Sequence, residues 1–252
     1  MKASFLAAAA LMLSMALVLP PAAKAAELKV LAGGSIAGPL NELKSHFEQA
    51  TGHKLTVHFD STPNLIKLVT SEAPFDLGVV PIDVFKDAAA KAKFVPGPTI
   101  DIARVGYGVA VRAGAAKPDL STPDALKQTL IKAQSIATLP ASAAGAYVLS
   151  VFERLGIGEA MKAKIKSQPT PAAIPQAVAK GEAELGVFLS NVLIAPGVEL
   201  AGSFPAELQQ ELIFTAAVAL ASKETDAAKA LINYLTTPAA TAVIKAKGMN
   251  PG

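Results

Sequence analysis

Ser35, Asp60, Ser61 and Thr62 are the residues whose types and spacing could do chemistry. Ser35 sits in Leu28-Lys29-Val30-Leu31-Ala32-Gly33-Gly34-Ser35-Ile36-Ala37-Gly38-Pro39-Leu40, a short apolar run that turns through small residues into a proline-led helix. Such a turn aims backbone N–H groups and the positive end of a helix dipole at one point, where the Ser35 hydroxyl adds a donor. A small anion is the natural guest, although an ordinary strand-to-helix turn has the same look. The stretch is not a nucleotide-binding loop, because its glycines miss GxGxxG spacing and no GK[ST] follows. Asp60-Ser61-Thr62-Pro63-Asn64 repeats the arrangement after the alternating segment Lys54 to Phe59. Pro140-Ala141-Ser142-Ala143-Ala144-Gly145-Ala146-Tyr147 repeats it again with very small residues.

Catalytic constellations are weak by comparison. The chain has three histidines, His46, His53 and His58, with no HxxxH or HExxH spacing, so no metal-cation site is expected. Around Ser35 the sequence reads GGSIAG, which misses the GxSxG nucleophile elbow by one residue. A hydroxyl that donates a hydrogen bond fits better than a nucleophile. Aromatic residues make up 5% of the chain and tryptophan is absent, which leaves little stacking surface for sugars. Binding is therefore expected rather than catalysis, with no cofactor; a secreted serine hydrolase built on Ser35 is the alternative.

The elements that position these residues follow a leader. Met1 to Ala25 reads as a cleavable secretory signal, with Lys2, an apolar centre from Phe5 to Leu19, Pro20-Pro21 and an A-x-A site at Ala23-Lys24-Ala25. Of the 23 basic residues, Lys2 and Lys24 leave with it, so 21 face 20 acids and the mature chain is almost neutral. No concentrated basic face for nucleic acid or a membrane surface is expected. A secreted chain without cysteine has neither disulfides nor a site for an N-terminal lipid, and is expected free in the periplasm as a monomer.

From Ala26 onward strand-like and helix-like segments alternate, the mark of an α/β chain with mostly parallel sheets. The spacing predicts helices from about Gly38 to Thr51, over Asp83 to Ala92, to Lys132, through Val148 to Leu155 and over two C-terminal segments. Strands are predicted at Phe75 to Val80, Ser135 to Leu139 and Leu185 to Leu189. Two longer strand runs, Arg104 to Val111 and Ile213 to Ala221, are expected to cross between two lobes. The predicted division is 26–105 and 215–252 in the first lobe and 106–214 in the second.

The opening segment, Ala50-Thr51-Gly52-His53-Lys54-Leu55-Thr56-Val57, Phe59-Asp60-Ser61-Thr62, Ala73-Pro74-Phe75-Asp76-Leu77, Ala144-Gly145-Ala146-Tyr147, the run from Ala177 to Val187, and Lys245-Ala246-Lys247-Gly248-Met249 together resemble the molybdate-binding periplasmic substrate-binding proteins of ABC transporters. The resemblance implies a two-lobed type II periplasmic binding protein fold, each lobe a sheet flanked by helices, closing over its ligand on two crossing strands. It implies capture of a molybdate- or tungstate-like oxyanion for an ABC permease; a small organic anion is the alternative. By position it implies ligand contacts from Ser35, Ser61, Thr62 and the backbone N–H groups of Ala144 and Ile174.

Two departures bear on the ligand. The family's site tyrosine falls at Phe188-Leu189, where no hydroxyl exists. Asp60 stands where relatives carry a small neutral residue. At about 6 Å and an effective dielectric of about 20, its charge would repel each ligand charge by roughly 3 kcal/mol, more than the roughly 0.3–1 kcal/mol of a helix terminus. Either Asp60 turns to cap the helix at Pro63, or the ligand is not a free dianion. Arg104, near the expected hinge, could offset that charge or grip a carboxylate, and Tyr147 is a further candidate modulator.

Overall fold

The computed structural model describes residues 25–252; the expected signal segment lies outside them except for Ala25. Strands are β1 (Glu27–Gly33), β2 (Lys54–Asp60), β3 (Leu77–Pro81), β4 (Ile100–Val105), β5 (Tyr107–Arg112), β6 (Ile136–Thr138), β7 (Ile165–Ser167), β8 (Leu185–Leu189), β9 (Val198–Ser203), β10 (Leu212–Val218) and β11 (Asn250–Pro251). Helices are α1 (Ala37–Thr51), α2 (Thr62–Thr70), α3 (Ala88–Lys91), α4 (Pro123–Lys132), α5 (Ala143–Arg154), α6 (Gly158–Lys162), α7 (Ala173–Lys180), α8 (Thr225–Leu235) and α9 (Pro238–Ala246).

The strands form two sheets, ordered β11-β4-β10-β3-β1-β2 and β7-β6-β8-β5-β9, one in each lobe. The expectation of mostly parallel sheets holds for one half of each. β1 runs parallel to β2 and β3, and β6 to β7 and β8, because helices return the chain between them. The strands that carry the chain into and out of the second lobe run against their neighbours: β10 against β3 and β4, and β5 against β8 and β9.

Gly106 alone separates β4 from β5, so the single run expected from Arg104 to Val111 is split between the two sheets. A side chain at Gly106 would press on the amide of Gln209, 3.0 Å from its Cδ. That amide clasps the crossing: Gln209 Oε1 accepts from Tyr107 N at 2.8 Å and Nε2 donates to Tyr107 O at 2.9 Å. The return crossing therefore lies between β9 and β10. The first lobe regains the chain at Leu212, which pairs with Val105, a few residues before the expected boundary at 215.

Local sequence explains the elements that frame the cleft. In α1, Leu40, Leu43 and Phe47 point inward at helical spacing and the helix stops at Gly52, whose φ of 77° is left-handed. Each such buried side chain contributes roughly 1.5–3 kcal/mol of apolar burial. In α5 the inward face is Val148, Val151 and Phe152, and the helix packs on β8 of the second sheet. The helix expected over Asp83 to Ala92 is instead a 3-10 turn at Ile82–Lys86 followed by α3, because Asp87 accepts from Ala90 N and restarts the chain. The strand expected to reach Ala221 ends at Val218, beyond which Ala219 makes a lone bridge to Phe94. Short β7, glycine-containing β9 and α6 lie in stretches where no clear period exists. No helix of the described residues is long and apolar enough to cross a membrane.

Candidate functional site

The β1–β2 register pairs Gly33 with Asp60, so the loops that follow these parallel strands leave the sheet side by side. One carries Ser35 in a 3-10 turn ahead of α1; the other delivers Ser61 and Thr62 at the start of α2. From the second lobe come Leu139, Ser142, Ala143 and Ala144 at the start of α5, together with Pro171 ahead of α7. Pro81, Leu212 and Phe214 close the apolar side. These residues enclose a cavity of about 20 Å³ between the lobes, room for one small group.

The lobes touch around it. Asn191 Nδ2 donates to Ser35 O at 2.8 Å, and a Cβ on Gly34 would lie 3.2 Å from Pro171 Cγ. A glycine at position 34 is what lets the Ser35 loop approach the second lobe this closely. The conformation is a closed one.

The donors on the wall are neutral. The hydroxyls of Ser35, Ser61 and Thr62 make no hydrogen bond to another described residue, and Ser61 leaves its helix start without a side-chain cap. The Ser142 hydroxyl, in contrast, is committed: it accepts from Gly145 N at 2.9 Å and donates to Leu139 O at 2.8 Å. Gly145 and Ala146 N–H groups are taken by Ser142, leaving the first-turn N–H groups of Ala143 and Ala144 to the cavity. Among the described residues no lysine, arginine or histidine borders the cavity, and Asp60 is the one charged residue on its wall.

Asp60 is held at the start of α2. Its Oδ1 accepts from Ser61 N at 2.7 Å and from Asn64 Nδ2 at 2.9 Å, while Oδ2 lies 3.4 Å from His58 Nε2. Partial burial on its own raises the pKa of this carboxyl; the hydrogen bonds from Asn64 and Ser61 and the neighbouring His58 outweigh it and hold the group below the usual aspartate value. The cap position of α2 is taken by Ser61, without a side-chain cap bond, so the capping expected of Asp60 is replaced by bonds from the Ser61 N–H and the Asn64 side chain, and the residue lines the cavity.

The remaining sequence candidates stand elsewhere. Ile174 is fully buried in α7 and its N–H donates to Pro171 O at 3.1 Å, so it shapes the wall behind Pro171. Arg104 faces Asp101, with NH2 to Oδ2 at 3.6 Å, on a strand paired with β10 and β11, and is not at the cavity. Tyr147 donates to Leu208 O at 2.8 Å and packs its ring, tilted by 38°, against Tyr107 with centroids 4.7 Å apart, tying α5 to the return crossing. Burial first, then Asp83 and Tyr147, pushes the Tyr107 phenol up, so it stays neutral. Pro171, Phe214 and the close approach of Gly34 carried no signal in the sequence. Among the described residues no three potential metal-ligating side chains converge.

The Bacterial extracellular solute-binding protein family matches residues 28–250. The chain belongs to that family. Within the reach of its relatives, it is 33% identical to the Aconitate isomerase of Pseudomonas sp over 232 residues, 89% of this chain and 87% of that protein. It is 32% identical to the Molybdate-binding protein ModA of Azotobacter vinelandii, covering 90% and 91% of the two chains. The solved periplasmic molybdate-binding protein of Azotobacter vinelandii superposes with a TM-score of 0.75 at 21% identity, over 89% of this chain and 99% of that one. The two-lobed solute-binding fold expected from sequence is thereby shown.

Proposed function

We propose that this chain is the solute-binding component of an ABC importer, working as a periplasmic monomer that captures a small oxyanion between its lobes and presents it to a permease. The observation that carries the reading is the convergence of the unengaged Ser35, Ser61 and Thr62 hydroxyls on one interlobe cavity, opposite the first-turn N–H groups of α5. Hydroxyls and amides can surround an anion's oxygens without a fixed cation. Because the contacts come from both lobes, ligand stabilises the closed arrangement, and a permease can read closure as occupancy.

In this reading Ser35 is a ligand donor and not a nucleophile, since among the described residues no histidine borders the cavity to take its proton. Molybdate is named for the Azotobacter relative, so molybdate and tungstate belong in the first panel of ligands. Equilibrium dialysis of the purified protein against molybdate, tungstate, sulfate, phosphate and citrate tests the reading. One anion retained at one equivalent, with no hydrolysis of ester substrates, supports it; retention of none overturns it.

A second reading has one observation behind it. The Pseudomonas relative is named for an isomerisation, and Asp60, a residue of the cavity wall, has a carboxylate that could take a proton from the carbon beside the double bond of an unsaturated polyacid and, as the double bond shifts, return it at the far end of the three-carbon unit. Against it stands the low pKa of Asp60, which makes a poor base. Incubation with trans-aconitate, followed by chromatography for the cis isomer, separates the two readings: appearance of product that Asp60→Asn abolishes favours the enzyme.

A further inference from the structure

The return crossing is fastened twice before it leaves the second lobe. Gln209 takes both backbone groups of Tyr107, Oε1 accepting from N at 2.8 Å and Nε2 donating to O at 2.9 Å, so the two crossings are joined to each other. The turn at Ala206–Leu208 is held by α5: Tyr147 donates to Leu208 O and Arg154 NH2 to Glu207 O, each at 2.8 Å, and Arg154 NH1 reaches the Tyr147 hydroxyl at 3.4 Å. The Tyr107 ring packs against both parts, its centroid 4.7 Å from that of Tyr147 and 5.8 Å from that of Phe204. The same α5 meets the interlobe cavity with its first turn, at Ala143 and Ala144. One helix therefore runs from the cavity to the crossing.

On the first-lobe side Val105 and Leu212 are paired in the sheet, and Glu211 accepts from Asn250 Nδ2 at 3.1 Å. Gly106 on the outgoing chain and Gln210 on the return are left between what each lobe holds. Gly106 has no Cβ to restrict its backbone, and Gln210 is exposed. Resting on the reading above that ligand closes the lobes, we propose that Tyr147, Arg154 and Gln209 are positioning residues for ligand capture: they latch α5 to both crossings, so that closure bends the chain at Gly106 and Gln210 and brings the α5 amides to the ligand as part of one body. None of the three lines the cavity. Without the latch α5 can shift against the crossing, and closed lobes no longer fix the distance from the Ala143 and Ala144 N–H groups to the Ser35 loop.

The chain has no cysteine, so Ser45→Cys in α1 and Gln128→Cys in α4 place one spin label in each lobe. Pulsed electron paramagnetic resonance reads the interlobe distance in this labelled parent and in the same protein carrying Tyr147→Phe, Gln209→Met or Arg154→Met, each without ligand and with molybdate or citrate. Every substitution removes hydrogen bonds and keeps a side chain of similar bulk. A residue with a structural role alone lowers the melting temperature and leaves the distances as they are. The latch predicts a broader ligand-free distribution in the variants than in the parent, and binding about two- to tenfold weaker for whichever anion narrows the parent's distribution. Arg154 is exposed, so its variant decides the matter even where one of the others fails to fold. Distributions as narrow as the parent's in every folded variant overturn the latch and leave the oxyanion reading standing. Broadened distributions in the variants, with no response to either anion in any of the proteins, uphold the latch and count against the oxyanion reading.

Discussion

The side-chain amide of Asn191 in the second lobe donates to the main-chain carbonyl of Ser35 in the first, 2.8 Å away. This bond exists only while the lobes are together, and it fastens the loop that carries the Ser35 hydroxyl. A single hydrogen bond of this kind contributes about 0.5–1.5 kcal/mol. Asn191→Ala should therefore shift the protein toward the open form and weaken apparent ligand affinity about two- to tenfold. Small-angle scattering of the ligand-free and ligand-bound variant checks this, since the bound forms should match the wild type.

Gly34 makes the complementary contact by having no side chain. A Cβ there meets Pro171 at 3.2 and 3.3 Å, tight enough that one side must give, and a branched side chain leaves no room. Gly34→Val is expected to fold normally and to bind at least about tenfold more weakly, by the same population argument. Unchanged affinity, with the compact scattering profile retained, would contradict the closed geometry.

Gly145 allows the start of α5 to lie against the loop before it. A Cβ at this position would overlap the main-chain carbonyl of Leu139, a backbone group that cannot rotate aside. Gly145→Ala should destabilise the protein by about 3 kcal/mol, the upper end of ordinary overpacking. Urea unfolding measures it, with Gly38→Ala, where nothing lies within 4 Å of a Cβ, as the control expected to change little.

Asp60 couples stability to acid. Its pKa is lowered in the folded protein, with burial opposing and Asn64, Ser61 and His58 prevailing. The contribution is complete above the unfolded aspartate value of about 3.9 and is lost as pH falls through the lower folded value. The stability difference between wild type and Asp60→Asn should accordingly narrow from about pH 5 downward. Denaturant titrations at pH 7, 5, 4 and 3 follow the trend, and a gap that widens in acid would contradict the hydrogen-bonded, ionised Asp60.

The sequence carried the strand-to-helix loops because their signals are local. Proline in the first turn, small residues and Gly52 after α1 each declare a backbone conformation that neighbours need not impose. Two lobes were expected from the two long strand runs, the first of which is split between the sheets at Gly106. Ser35, Ser61, Thr62 and Ala144 all meet at the cavity. Pro171 and Phe214 were invisible, since a residue far along the chain joins the wall only through closure of the lobes. Ile174 and Arg104 show the converse limit: Ile174 has its N–H taken by Pro171, and Arg104 has a nearer carboxylate in Asp101. The antiparallel halves of the sheets were equally hidden, because alternation of strands and helices does not reveal from which side the returning chain enters.

The central claim is that Ser35 and Thr62 hold a small anion between the lobes. Titration calorimetry of the wild type, Ser35→Ala and Thr62→Ala with the anion retained in dialysis tests it most directly. A hydrogen bond to a charged ligand is worth about 1.5–3 kcal/mol, so each variant should lose about tenfold or more in affinity while the wild type binds one equivalent. Wild-type affinity in both variants would contradict the claim and direct the search to the larger hollow of about 900 Å³ beside Arg112, Lys132 and Glu184 in the second lobe.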